Sequence, residues 1–312
     1  MRGTESEELK RGRALSRRTR DIAKSYGLDS RAALQRCVCE AVLWALQDVS
    51  AHDFVVKGGL LEDQRVRETD NADISYFVPR TVKEIQSDLS LAAEQLRNYG
   101  ILWSLAELKI LEMNGRVHGC RVPVRAALGD TRVATHVDIS LGDLPVGAVR
   151  RLFGSIFKGP EFLAWAQPLE AQVADKFAII VTNGVANTRL KDYRDLLLAR
   201  WKGLDDTKIA RALHRTIRER NADTGLLLGI PDGFGFEFAD AKKAEWKAFT
   251  QDGGDFLDVV CQLRRWYAEI SDRLYKLAAA GPLEPRSHVQ APGLEMPKCN
   301  VIELSAYRRM RA

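Results

Sequence analysis

Two strings of this chain place acids at strand spacing, and the first of them follows a pair of glycines. That string is Lys57 to Ile74, KGGLLEDQRVRETDNADI, in which Gly58-Gly59 precedes a polar run. Extended backbone alternates its side chains, so Asn71, Asp73 and Ser75 share one face while Ala72, Ile74 and Tyr76 take the other. The second string, residues 133–141, places His136, Asp138 and Ser140 on one face, with Val137 and Ile139 opposite. If the two strands adjoin, Asp138 meets Asp73. Carboxylates converging beside a glycine turn suit phosphoryl chemistry: acidic oxygens hold Mg²⁺, the ion neutralises a triphosphate, and backbone amides take phosphate oxygens. Nucleotidyl transfer fits that description, and a kinase-like phosphotransfer uses similar groups. A surface loop followed by an ordinary edge strand has the same spacing, because such short strings recur widely.

The elements that must position these residues can be read from periodicity. Asp29 and Ser30 cap a helix whose apolar stripe runs through Ala32, Cys37, Val38, Val42, Leu46 and Val49. The run Phe54-Val55-Val56 reads as a strand that Lys57-Gly58-Gly59 brings to a turn. Residues 73–78 form a second strand ending at Pro79. Thr81 and Glu84 then make a capping box for a helix carrying Val82, Ile85, Leu89 and Leu96, closed by Tyr99-Gly100. Strand candidates follow at 103–113, 120–128 and 133–141, separated by the hairpin dipeptides Asn114-Gly115 and Gly129-Asp130. Connections this short exclude crossovers between parallel neighbours, so an α+β unit with a mixed or antiparallel sheet is expected. From residue 160 strand signals fade, and helical segments are expected near 168–183, 191–202, 205–221, 239–250 and 254–280. The expected divisions are a charged segment 1–29, an α/β core 30–155, a helical domain 156–280 and a poorly ordered, proline-bearing tail 281–312.

Composition sets the outer limits. A chain of 312 residues accommodates one large α/β domain or two compact units. With 46% apolar and 29% charged residues, disordered, collagen-like and coiled-coil chains are excluded. No run approaches the ~18 to 20 apolar residues that cross a bilayer, and the N-terminus lacks the apolar stretch of a secretory signal, so no membrane association and a cytoplasmic location are expected. Cys37, Cys39, Cys120, Cys261 and Cys299 are odd in number and irregularly spaced, which reads as reduced thiols, mostly core fillers. The net charge of +5 does not by itself establish a nucleic-acid partner. Basic clusters at residues 10–24 and 189–220 are either solvated helix faces or places that hold phosphates.

Taken in order, Gly58-Gly59, Arg67-x-Thr69-x-Asn71-x-Asp73-Ile74, His136-Val137-Asp138-Ile139 with Gly142-Asp143, Lys176, and Lys191-Asp192-Tyr193-Arg194-Asp195-Leu196 resemble the AbiEii/AbiGii nucleotidyltransferase toxins. These are the toxin halves of type IV toxin–antitoxin, abortive-infection pairs. The likeness spans about residues 30 to 205, and KDYRDL is its most distinctive string. It implies a polymerase-β-like nucleotidyltransferase core followed by a helical region, a nucleoside triphosphate substrate, an RNA acceptor such as tRNA, and a cognate antitoxin. On that pattern Gly58 and Gly59, with Lys57 beside them, bind nucleotide phosphate. Asp73 and Asp138 ligate Mg²⁺, with Asn71 at a third ligand position. Lys176 neutralises the triphosphate, Lys191 contacts nucleotide or acceptor, and Asp192 orients or deprotonates the acceptor hydroxyl. Arg67 and Thr69 belong to the string and either support the turn or carry no separate role.

Two departures stand out. Leu60 replaces the Ser or Thr that usually follows the glycines, and Asn71 replaces an Asp. An amide oxygen can ligate a hard cation but brings no charge, so a degenerate, non-catalytic nucleotide- or RNA-binding protein is the alternative reading. Other residues carry plainer alternatives. His136 is either a hydrogen-bonded structural histidine or a group that tunes Asp138. Lys176 by its own surroundings snorkels to solvent, and Asp192 and Asp195 share a first helical turn as dipole-compatible charges. Trp44, Trp165 and Trp201 read as core or interface aromatics.

Overall fold

The computed structural model describes residues 6–50, 53–62, 69–78, 80–113, 116–141, 147–153, 161–220, 222–227, 229–250 and 254–279. Arg67, Pro79, the Asn114-Gly115 dipeptide, Gly142-Asp143, Cys299 and the tail from Gly281 lie outside the described residues. Two compact units divide between Gln167 and Pro168, each with its own apolar core.

In the first unit come helices α1 (Glu7–Ser25) and α2 (Ser30–Val49), strand β1 (Phe54–Lys57), a 3-10 turn (Gly58–Leu61) and β2 (Asn71–Tyr76). They are followed by α3 (Val82–Arg97), β3 (Ile101–Leu105), β4 (Lys109–Met113), β5 (Arg116–Leu128), β6 (Thr131–Ser140), β7 (Val149–Phe153) and β8 (Phe162–Ala166). The Asp29 side chain accepts from the Ala32 amide and starts α2; Thr81 and Glu84 cap α3 reciprocally, as their spacing predicts. Among the described residues the sheet runs β3-β5-β6-β2-β1-β8-β7, with β4 also on β5. It is mixed: β2 pairs β6 and β1 pairs β8 in parallel, and the other pairs are antiparallel.

Alternation divides this sheet into two chemically different faces. Ala72, Ile74, Val122, Val124, Val137 and Ile139 are buried in one core with the apolar residues of α2 and α3. Their neighbours Asn71, Asp73, Arg121, His136 and Asp138 take the opposite face and are only partly buried. β8 corrects the expectation that strands fade from residue 160. FLAWA continues the sheet because a parallel neighbour on β1 supplies its ladder. The charged N-terminal segment is a packed helix. Gly12 lies so close to Gly100 and Gly129 that a Cβ there would fall 2.2 Å from the Gly129 nitrogen. Arg13 pairs with Asp130 at 2.6 Å and Arg20 donates to Thr131, so part of that basic cluster serves the β5–β6 hairpin.

The second unit is helical: α4 (Leu169–Asn183), α5 (Leu190–Arg200), α6 (Asp206–Glu219), α7 (Phe236–Thr250) and α8 (Phe256–Ala279), joined by short 3-10 turns. Phe177, Tyr193, Phe234, Phe256 and Tyr267 are buried at its centre, and the Tyr193 hydroxyl donates to the Gly233 carbonyl at 2.7 Å. Of the core-or-interface expectation for Trp201, the core is excluded, since the residue is 75% exposed just past α5. Cys37, Cys39 and Cys120 are buried free thiols, in keeping with core filling. Among the described residues no helix is long and apolar enough to cross a membrane.

Candidate active site

Strand register builds the site. Lys57 on β1 lies opposite Asp73 on β2, Asp73 opposite Asp138 on β6, and Asp138 opposite Arg121 on β5. Residues directly opposite share a face, so four charges form one row across four strands, two carboxylates bracketed by two cations. The sequence expectation that Asp138 meets Asp73 is therefore met in the backbone register. Next along the same face, Asn71 lies opposite His136, and the Asn71 amide donates to Asp73 Oδ1 at 3.1 Å.

Arg121 grips Asp138 with a two-pronged fork, Nε to Oδ1 at 2.7 Å and Nη2 to Oδ2 at 2.8 Å. This pairing holds the guanidinium pKa above its ordinary value, the Asp138 hydrogen bond being the largest cause. The side chain of Arg121 is nonetheless 43% exposed, against 21% for Asp138. His136 Nε2 lies 3.7 Å from Asp138 Oδ2, an ion pair only when the imidazole is protonated.

Gly58 is required twice over. Its φ of +65° lies in the left-handed region, and a Cβ there would fall 2.2 Å from Asp73 Oδ2. The acid thus packs directly against the turn backbone. Two arginines hold that turn by its carbonyls: Arg36 of α2 donates to Leu60 and Glu62, and Arg151 of β7 donates to Leu61 at 2.7 Å. Leu60 is 3% exposed and belongs to the apolar core, so where a hydroxyl is expected the chain instead adds burial. Thr69 is buried and donates to the Asn71 carbonyl, while Thr135 donates to the Asp70 carbonyl. Both hydrogen bonds lie at the start of β2.

Among the described residues no three His, Cys, Asp or Glu side chains gather at one point. A closed, all-protein metal cage is therefore not what these residues form. Two in-register carboxylates with a neighbouring amide oxygen do fit a hard cation such as Mg²⁺, which takes one or two carboxylates and completes its shell with water and phosphate. The guanidinium on both oxygens of Asp138 shows that this position already attracts a positive group.

In the second unit Lys176, Asp192, Asp195 and Arg189 form a cluster of two cations and two acids. Lys176 Nζ lies 2.7 Å from Asp195 Oδ2 and 3.4 Å from Asp192 Oδ1; Arg189 Nε lies 2.7 Å from Asp192 Oδ2. Lys176 is tied to acids and does not snorkel. Asp192 has a side chain with 0% exposure, and each of its oxygens faces a cation. The residue expected from sequence to orient or deprotonate an acceptor hydroxyl is thus buried between Lys176 and Arg189. Lys191, one residue earlier, is exposed. Arg36 and Arg189 had local signals, lying four residues before Glu40 and three before Asp192. Arg151 reaches the turn only through tertiary contact, and Arg121 reaches Asp138 through the register of β5 on β6.

The family model for the nucleotidyl transferase AbiEii toxin, type IV toxin–antitoxin system, matches residues 42–269, most of the chain. The chain belongs to the AbiEii family. The matched span of this AbiEii chain includes the charged row of the first unit and the Lys176 cluster of the second. JHP933 from Helicobacter pylori is 14% identical with a TM-score of 0.45, the match covering 79% of this chain and 96% of that one. MenT4, a nucleotidyltransferase toxin from Mycobacterium tuberculosis H37Rv, is 15% identical with a TM-score of 0.48, covering 85% and 98% respectively. No curated protein matches the AbiEii chain.

Proposed function

We propose that this AbiEii-family chain is a toxin that transfers a nucleotide moiety from a nucleoside triphosphate to an acceptor hydroxyl on RNA, tRNA being the favoured acceptor. The observation that carries this reading is the register pairing of Asp73 with Asp138 on the partly exposed face beside Gly58. Asp73 and Asp138 would hold Mg²⁺, with the Asn71 amide oxygen as a neutral third donor. When bound, that ion supplies charge neutralisation of the triphosphate and of the pyrophosphate that leaves. Gly58 lets the turn approach phosphate closely, and Lys57 flanks the acids with a positive charge. In the second unit Lys176 keeps the triphosphate role and Lys191 the nucleotide- or acceptor-contacting role that the family pattern gives them, and Asp192 acts by positioning Lys176. A cognate antitoxin and a cytoplasmic site of action complete the proposal.

The test is transfer of labelled nucleotide to RNA. Asp73→Ala and Asp138→Ala should each abolish it, and normal transfer by either variant would overturn the assignment. A second reading, a non-catalytic nucleotide- or RNA-binding protein, is favoured by one observation: the position beside Asp73 holds an amide and not an acid. Under that reading the wild-type chain retains nucleotide and gives no labelled product.

A further inference from the structure

The fork between Arg121 and Asp138 is more than a surface ion pair. Asp138 sits next to Asp73 in register, and two carboxylates side by side repel each other unless a positive charge lies between or against them. Arg121 supplies that charge through two short, charge-assisted bonds, one to each oxygen of Asp138. A cation held jointly by Asp73 and Asp138 competes with Arg121 for the Asp138 carboxylate, and the two positive groups repel each other across it. Lys109 lies opposite Arg121 on the other side of β5, so a second positive charge stands behind the guanidinium in the same row. With its side chain almost half exposed, Arg121 has room to turn away from the acid into solvent.

We propose that Arg121 is an exchangeable internal counter-ion: it occupies Asp138 in the cation-free protein and leaves that carboxylate when a divalent cation is held by the Asp73–Asp138 pair. The proposal rests on the reading of that pair as a cation site. Arg121 is then a positioning residue, one that keeps two adjacent acids compatible with folding while lowering affinity for a bare cation. A polyphosphate that adds oxygens of its own then tightens a cation that binds only weakly when bare.

The experiment titrates the full chain with Mn²⁺ alone and reads free Mn²⁺ by electron paramagnetic resonance, with no turnover involved. Arg121→Gln and Arg121→Lys both lose the fork, while the second keeps the charge. Each is expected to bind Mn²⁺ about tenfold more tightly than wild type, the scale of one charge-assisted hydrogen-bonded pair. Adding Asp138→Asn to Arg121→Gln should erase the gain. Unchanged or weaker binding in both Arg121 variants overturns the proposal. So does a gain confined to Arg121→Gln, which would mean a long-range charge effect and no exchange at Asp138. If single Asp73→Asn and Asp138→Asn variants bind Mn²⁺ as wild type does, the acid pair is not a cation site, and the proposed function fails at that step before the exchange is in question. Thermal unfolding of each variant confirms that the titrated protein is folded.

Discussion

The Asp73 carboxylate fills the volume that any side chain on residue 58 would need, its Oδ2 lying 2.2 Å from the place of a Cβ on Gly58. Glycine turn and acid are therefore a single packing unit, and neither can be altered without disturbing the other.

Gly58→Ala meets both a left-handed backbone and this overlap. It should cost about 1–3 kcal/mol by urea unfolding and remove nucleotide transfer. Gly27→Ala is the matched control, since Gly27 has a φ of +66° and nothing within 4 Å of its Cβ position. Its cost should be only the backbone strain, about 1 kcal/mol. Equal costs at the two sites would show that the overlap with Asp73 contributes nothing.

Asn71→Asp exchanges a donor bonded to Asp73 for a third acid. Without divalent cation the variant should be about 1 kcal/mol less stable than wild type, through the lost bond and the added repulsion. With Mg²⁺ present the order should reverse, and the Mg²⁺ concentration needed for transfer should fall. Differential scanning calorimetry with and without Mg²⁺ checks the first part, and the Mg²⁺ dependence of labelled transfer checks the second.

Asp192→Asn removes one buried negative charge from Lys176, which keeps Asp195, and from Arg189, whose side chain is 47% exposed. A loss of about 1–3 kcal/mol is expected on urea unfolding, the scale of weakened charge-assisted hydrogen bonds. Lys191→Ala, on an exposed neighbour, should stay within about 0.5 kcal/mol. The comparison separates the structural weight of the cluster from any role of Lys191 in contacting nucleotide or acceptor.

Burial pushes the Cys37 and Cys39 thiols up to about 12, above their ordinary value of 9.0. The folded state keeps these protons where the unfolded chain loses them, so their contribution is complete below pH 9 and declines as pH rises toward 12. Each thiol adds about 1.4 kcal/mol of lost stability per pH unit within that window. Stability measured from pH 8 to 11 should fall less steeply in Cys37→Ala than in wild type. Parallel curves would contradict the burial of that thiol.

Much of the site was legible because strand alternation is a local property. Asn71 and Asp73 on β2, and His136 and Asp138 on β6, needed only the two-residue period, and α3 needed only its Thr81–Glu84 cap. The Gly129-Asp130 hairpin was legible as well, but the register that sets Arg121 opposite Asp138 was not, nor was the adjacency of strands remote in sequence. The same holds for β8, whose short FLAWA run lacks polar alternation and gains its ladder from β1. Trp201, read as a core or interface aromatic, lies one residue beyond α5, where the helix end carries it out of the core.

The charged row has a consequence for how the chain finds its fold. Lys57, Asp73, Asp138 and Arg121 come from two pairs of strands, β1 with β2 and β5 with β6, and each has on its own strand a neighbour that belongs in the apolar layer. Slipping any of the four by one position would drive an ion under the helices and leave its former partner without a mate. The groups that equip the protein for chemistry thus also act as a combination lock on the alignment of its central strands.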